Sequence, residues 1–341
     1  MSIESSTNNL HKSINHQATY STVGVVIIGR NEGTRLVNCL ESLGDLMPQV
    51  VYVDSASTDN SLTEAENRGA HVISLDMTQP FTAARARNVG FDSIISIYPN
   101  IQFVQFVDGD CVVNNNWIQT AADFLTSNPN VAVVCGRRRE VFPQRSIYNQ
   151  MCDHEWNTPI GEAKACGGDA LMRADVIKLV GGYRNSLIAG EEPELCIRIR
   201  QAGYNVWRID AEMTLHDAAM TRFGQWWKRT TRAGYAYAEG SSIHGGYPER
   251  HWVKESLRAW FWGLLLPIIL FIMFFVSLKL SLFLLFIYPL QVLRIAIRNS
   301  QHNNWKNAFF SVLGKFAEMA GQLKFYKQKI LNEKINLIEY K

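Results

Sequence analysis

The chain has no Cys-x-x-Cys pair, no Gly-x-Gly-x-x-Gly and no Gly-x-x-x-x-Gly-Lys-Ser/Thr. The first absence removes support for zinc and dithiol redox sites, the second for the ordinary dinucleotide-binding turn and the third for the P-loop. Its six cysteines (Cys39, Cys111, Cys135, Cys152, Cys166, Cys196) are scattered through segments that read as strands and helices. Buried thiols in a reducing cytosol are expected. Charge of one sign is also scarce: 34 Lys and Arg against 31 Asp and Glu leave a net +3, too little to mark a nucleic-acid partner. The opening MSIESSTNNLHKSINHQATYST is polar and has no apolar h-region, so residues 1–21 are expected to be a flexible lead rather than a signal peptide. No internal repeat or low-complexity block is visible.

What the chain does have is one long apolar stretch, AWFWGLLLPIILFIMFFVSLKLSLFLLFIYPLQVL from Ala259 to Leu293, broken by a single charge at Lys279. A membrane-spanning helix needs roughly 20 apolar residues, and Ala259 to Leu278 supplies them. Residues 259–297 are predicted to form a membrane helix or helical hairpin, preceded by a juxtamembrane linker over 241–258. From Arg298 to Lys341 there are eight Lys and Arg against three Glu, a local net of +5, which leaves 3 − 5 = −2 for the rest of the chain. That basic, amphipathic tail (298–341) suits an anionic cytoplasmic membrane surface. The expected location is the membrane, with the domain over residues 22–240 facing the cytoplasm.

Residues 22–240 alternate apolar runs with helical periodicity. VGVVIIG, QVVYVDS, HVISLDM and IQFVQFVDGD read as buried strands, and NEGTRLVNCLESLGDL, STDNSLTEAENRGA and TAARARNVGFDSIISIY as the helices between them. This order predicts βαβ units and a largely parallel sheet. Ligands of such sheets bind at the carboxyl ends of the strands, where Arg30, Asn31, Glu32, Asp54, Asp108 and Asp110 fall.

In FVDGDC, Asp108 and Asp110 stand i, i+2 at a strand end, a spacing that lets two carboxylates share a hard divalent cation with substrate phosphates; a solvated Asp-Gly-Asp turn is the plainer alternative. Asp54 could accept hydrogen bonds from a base or ribose, or cap the next helix, a task open also to Ser55, Ser57 or Thr58. In GEEPELCIRIRQAGY, Glu191, Glu192 and Glu194 crowd a helix start. Acids there complement the helix dipole, and one of them could take a proton from an attacking hydroxyl.

Taken in order, VVIIGRNEG, VVYVDSASTDNS, ARARNVG, FVDGDC, GGDALMRADVIKLVGGY and GEEPELCIRIRQAGY resemble family 2 of the inverting GT-A glycosyltransferases over roughly residues 23–216. The resemblance implies an α/β GT-A fold, Rossmann-like with a mostly parallel sheet flanked by helices, here followed by C-terminal hydrophobic helices. It implies a nucleotide-diphospho-sugar donor, usually UDP-linked, Mg2+ or Mn2+ on the D-x-D, and an acceptor hydroxyl on a growing glycan or lipid-linked saccharide. Nucleic acid is not an implied partner. By position, Arg30, Asn31, Glu32, Asp54, Arg85, Asn88 and Asp108 match donor-binding residues. Asp110, Asp108 and His216 match the metal and phosphate contacts, and Glu192, with Glu191 beside it, matches the catalytic base. Glu192 stands where the family usually has Asp, one methylene longer. Asp169, Gln225, Trp226, Trp227 and Arg229 are assigned to an acceptor or membrane collar. Gln225 begins Q-W-W-K-R rather than the Q-x-x-R-W of processive synthases, so processive polymerisation is not implied. A catalytically idle scaffold of the same fold and a nucleotidyltransferase are the alternatives.

Overall fold

Buried strands with apolar residues on both faces need cover on both sides, and β1 (Val23–Gly29), β2 (Val50–Asp54) and β4 (Phe103–Asp108) are almost wholly buried. The computed structural model describes residues 21–298 and 304–332; nearly all of the expected N-terminal lead and both ends of the basic tail lie outside them. The chain divides into two compact units. One holds the described residues to Phe142 with Cys152–Leu187 and Glu191–Ala218; the other holds Pro143–Met151, Ile188–Gly190 and the described residues from Ala219.

The first unit is built on a nine-stranded sheet. Its remaining strands are β3 (His71–Ser74), β5 (Cys111–Val113), β6 (Val131–Glu140), β7 (Gly161–Ala163), β8 (Ala170–Arg173) and β9 (Asn205–His216), in the order β3-β2-β1-β4-β8-β6-β9-β5, with β7 also on β9. The half containing β1 to β4 is parallel, as the alternating sequence predicts. Its crossovers carry α1 (Thr34–Glu41), α2 (Ser61–Asn67) and α3 (Ala83–Ile97). The other half is mixed: β8 runs antiparallel to β4 and β6, and β5 and β7 antiparallel to β9. Past β6 the sequence loses its regular strand-helix alternation, and antiparallel neighbours need no helical crossover.

Packing fixes where the strand ends lie. Gly90 brings α3 so close to β1 that a Cβ there would overlap Val26. Trp117, at the start of α4 (Trp117–Ser127), is fully buried and donates its Nε1–H to Gln105 Oε1 at 2.8 Å, so these two buried polar groups satisfy each other. Three further helices are α5 (Ile147–Glu155), α6 (Ala174–Leu179) and α7 (Glu191–Gln201).

The second unit is helical. α8 (Phe223–His244) packs on α11 (Asn304–Leu331) around Ile188, Tyr235, Ala238 and Phe325. A Cβ at Gly234 would overlap the Glu318 carbonyl, and one at Gly321 the Thr231 carbonyl. The amphipathic tail was expected to lie on a surface. Over Asn304–Leu331 it instead buries Ala308, Val312, Ala317 and Met319, because its small residues let backbones approach, which periodicity does not reveal. α9 (Val253–Val276) and α10 (Leu278–Arg298) are each long and apolar enough to cross a membrane, and α9 includes a π-helical turn at Phe261–Leu265.

Candidate active site

The parallel register places the acids together. Gly29 pairs with Asp54, and Ile28 with Asp108, so the ends of β1, β2 and β4 share one edge. The residue that organises that edge is Arg87 on α3. Its Nη2 donates to Asp108 Oδ1 and its Nη1 to Glu191 Oε1, each at 2.7 Å, and its guanidinium lies over the Tyr183 ring. Burial alone would weaken its hold on the proton, but Asp108 and Glu191 outweigh burial and push its pKa upward, so it remains charged.

The resemblance assigns Arg85 and Asn88 in ARARNVG to the donor and leaves Arg87 without a role, and the structure turns Arg85 and Asn88 elsewhere. Arg85 donates to the carbonyls of Gln79 and Pro80 and also binds that of Asp76. Asn88 donates to the Tyr183 carbonyl and Asn185 Oδ1 while accepting from the Tyr183 N–H. Both brace loops. Helical geometry was the available signal: residues 85, 87 and 88 point in different directions, and only one of them can face the strand ends.

Asp110 follows at the turn into β5. Its Oδ2 lies 3.1 Å from His216 Nε2, and one ligand atom from each of Asp110, Cys111 and His216 falls within 4.8 Å of the others. Burial, and then the Arg138 charge, push the His216 pKa down to about 4, so the imidazole is neutral near pH 7 and keeps a lone pair. Its Nδ1 is buried without a hydrogen-bond partner. Trp156 stacks on the ring at 4.7 Å, and Arg138 lies over Trp156.

Asp169, assigned by sequence to an acceptor or membrane collar, is instead fully buried under the acids. It accepts from the Asp108 N–H at 3.2 Å and from Thr214 Oγ1 at 2.8 Å, and it pairs with Arg138 at 2.8 Å. A carboxylate so placed serves as an internal anchor, because its lone pairs are taken up by the protein. Of the arginine run on β6, Arg138 points to this anchor, Arg137 to Asp153 and Arg139 to Glu212.

The two candidate bases differ. Glu191 is held by Arg87. Glu192 is 2% exposed; its Oε1 accepts from the Cys166 N–H at 2.7 Å and the Cys196 thiol at 2.9 Å, while Oε2 is buried without a partner. Burial raises the Glu192 pKa above the ordinary carboxylate value against those hydrogen bonds. Next to it, Gly168 packs so tightly that a Cβ would crowd Arg87 Nη2 and Asp108 Oδ2.

At the ends of β1 and β2, Asn31 ties the loop after β1 to the loop after β2. Its N–H donates to Ser57 Oγ, and its Oδ1 accepts from the Thr58 N–H. Arg30 is exposed at this edge, and Glu32 pairs with Arg35. Asp54 accepts from Tyr52 O–H at 3.0 Å and the Ser57 N–H at 2.8 Å. The other residues assigned to the collar, Gln225, Trp226, Trp227 and Arg229, belong to the second unit. Gln225 caps α8 by accepting from the Thr221 and Arg222 N–H groups. Trp226, a collar candidate by sequence, is buried against Tyr148 and Phe310, since an aromatic on an inward helix face finds a core before it finds a ligand. Trp227 is half-buried beside Phe223, and Arg229 is half-buried on the same helix.

Residues 24–173, the span that contributes β1 to β4, Arg87 and both aspartates, match the family model described as glycosyl transferase family 2. Over that span the chain is similar to the family 2 glycosyltransferases. The chain is also similar to the succinoglycan biosynthesis protein ExoA of Rhizobium meliloti, 26% identical over 205 residues that cover 54% of this chain and 60% of ExoA. The match thus spans less than two thirds of ExoA. The glycosyltransferase AglE of Haloferax volcanii is 24% identical over 230 residues, covering 64% of this chain and 73% of AglE. The mannosyltransferase PcManGT of Pyrobaculum calidifontis, solved in complex with GDP-Man and Mn2+, superposes with a TM-score of 0.59 at 15% identity, over 89% of this chain and 87% of that one. At that identity the likeness establishes a shared GT-A-type fold.

Removing Arg87 should be costly. Arg87→Met leaves Asp108 and Glu191 without their shared cation, and breaking a buried ion pair costs about 3–5 kcal/mol. A large fall in Tm is expected, whereas Arg85→Met should leave the carboxylate pair intact. Equal Tm values for the parent and Arg87→Met would show that the bridge does not form.

Proposed function

We propose that the protein transfers a sugar from a nucleotide-diphospho-sugar, UDP-linked in the first instance, to an acceptor hydroxyl on a growing glycan or lipid-linked saccharide, with inversion at the anomeric carbon. The observation that carries this proposal is the chain of ion pairs from Asp108 through Arg87 to Glu191 beside the Asp110–His216 pair, at the carboxyl edge of the parallel strands. PcManGT, with its nucleotide-sugar and Mn2+, supports the donor class by its fold, and ExoA supports a polysaccharide acceptor.

Asp110 and His216 fit a divalent cation, since a neutral imidazole with an unpartnered buried nitrogen stands against a carboxylate. Bound Mg2+ or Mn2+ would neutralise the diphosphate leaving group. Asp108, held by Arg87 and by its own N–H on Asp169, is the half-buried acid that meets the donor sugar phosphate. Asp54 and the Asn31–Ser57 tie shape the nucleoside end, where Arg30 lies exposed.

Glu192 takes the acceptor proton. Its raised pKa makes it the better base, and its Oε2 is free of partners, whereas Glu191 is committed to Arg87. Glu192 lies under the Cys166–Gly168 segment, which must yield for an acceptor to reach it. A single displacement needs donor and acceptor aligned in a site that excludes water.

Attachment to the membrane follows from α9 and α10, whose Phe271, Phe275, Phe283 and Ile297 side chains are two-thirds or more exposed. Exposed apolar area carries roughly 25 cal/mol per Å2, and a bilayer removes it from water. Lys254 and Arg258 before the apolar stretch, with Arg294 and Arg298 after it, favour a hairpin with both ends and the catalytic unit on the cytoplasmic side. Full-length protein should therefore stay with membranes in high salt, because apolar burial is not screened; release by salt without detergent would contradict the hairpin.

The catalytic assignment is tested by Glu192→Gln and Glu191→Gln. Glu192→Gln should keep donor binding and lose transfer by about 10²–10⁴-fold. Because burial raises the Glu192 pKa, its ionised form weakens the fold above the folded pKa and ceases to do so below the unfolded one. The Gln variant should therefore match or exceed the parent Tm at pH 7, an advantage that shrinks as pH falls. Glu191→Gln should lower Tm through the lost Arg87 pair. Full transfer by Glu192→Gln would remove it from the mechanism.

A further inference from the structure

Cys111 immediately follows the second aspartate of FVDGDC, and neither the ion pairs nor the proton transfer above uses it. It is fully buried and free of any disulfide. On the sheet it is the direct cross-strand partner of His216, so the two side chains project to one face. Its thiol lies 3.7 Å from Asp110 Oδ1, and His216 Nε2 lies 3.1 Å from Asp110 Oδ2. One donor atom from each of the three falls within 4.8 Å of the others, and His216 Nδ1 is buried with no partner of its own.

We propose that Asp110, Cys111 and His216 form a site for a thiophilic divalent cation such as Zn2+, Co2+ or Cd2+, bound through carboxylate, thiolate and imidazole. Three protein ligands with a fourth position open is a common arrangement for zinc, and thiolate with imidazole selects borderline and soft cations over Mg2+ and Mn2+, which prefer oxygen. Charge favours it as well. A dication with one carboxylate and one thiolate is neutral, and a buried site disfavours uncompensated charge. As the sulfur–metal bond forms, the S–H proton leaves to solvent, one proton per cation.

The site shares Asp110 and His216 with the hard cation of the proposed transfer reaction, so a thiophilic cation competes for those ligands and inhibits transfer. The inference rests on that reading only for the inhibition, because cation binding stands on the three side chains alone.

Co2+ titration of the full-length protein in detergent tests it. One equivalent should develop a near-ultraviolet thiolate-to-cobalt charge-transfer absorption, which Zn2+ abolishes. Cys111→Ser should lose the band, and its Co2+ affinity should fall by at least about 10-fold. His216→Asn, at the partner strand, should weaken Co2+ to a similar degree and guards against a folding defect confined to position 111; Cys39→Ser should keep the band. Absence of the band in the parent overturns the proposal. So does a band that survives in Cys111→Ser, or unchanged Co2+ affinity in both Cys111→Ser and His216→Asn. A cobalt–thiolate band without transfer from any donor would defeat the proposed reaction and leave this site standing. Mn2+-dependent transfer without the band would do the reverse.

Discussion

A guanidinium sealed at the end of a β-sheet is a costly buried charge unless carboxylates compensate it, and Arg87 has one on each side. That arrangement joins three separate stretches of chain: α3 supplies the cation, β4 the aspartate and α7 the glutamate. Each partner would be a costly buried charge without the others. The pairing therefore fixes both where the strand end lies and how the start of α7 faces it. The two acids share one cation, whose charge offsets their mutual repulsion.

Beneath this bridge lies a second tie of the same kind. Asp169 accepts the Asp108 N–H and the Thr214 hydroxyl and pairs with Arg138, joining β4, β8, β6 and β9 across the change from the parallel to the mixed half of the sheet. Arg138 then carries Trp156, and Trp156 carries His216. The carboxyl edge is thus built from alternating acids and cations with aromatic faces between them, and His216 stays neutral because burial and the nearby Arg138 both oppose its charging.

Much of this could be read from the sequence. Fully apolar strings gave β1, β2 and β4, and the polar residues at their ends marked the site edge. The motif order gave the family, because each string lies at a fixed place in the βαβ series. What escaped was direction. ARARNVG contains two arginines, and periodicity alone did not show that Arg87 faces the acids while Arg85 faces a loop. Asp169, which the sequence assigns to an acceptor or membrane collar, is fully buried just before β8. The mixed half of the sheet escaped because short strands such as Cys111–Val113 and Gly161–Ala163 are too brief to show a period. The helix over Asn304–Leu331 reads as a basic, surface-lying helix because an amphipathic stripe looks alike whether its partner is a bilayer surface or another helix.

The most direct test of the account is nucleoside diphosphate release from a panel of UDP- and GDP-linked sugars, with purified full-length protein and its membrane lipids as the source of acceptor, in Mn2+ and again in chelator. The account predicts turnover of one donor class in Mn2+, abolished by chelator, with the new glycosidic bond of opposite anomeric configuration to the donor. Release that continues undiminished in chelator, or a product that retains the donor's configuration, would contradict it.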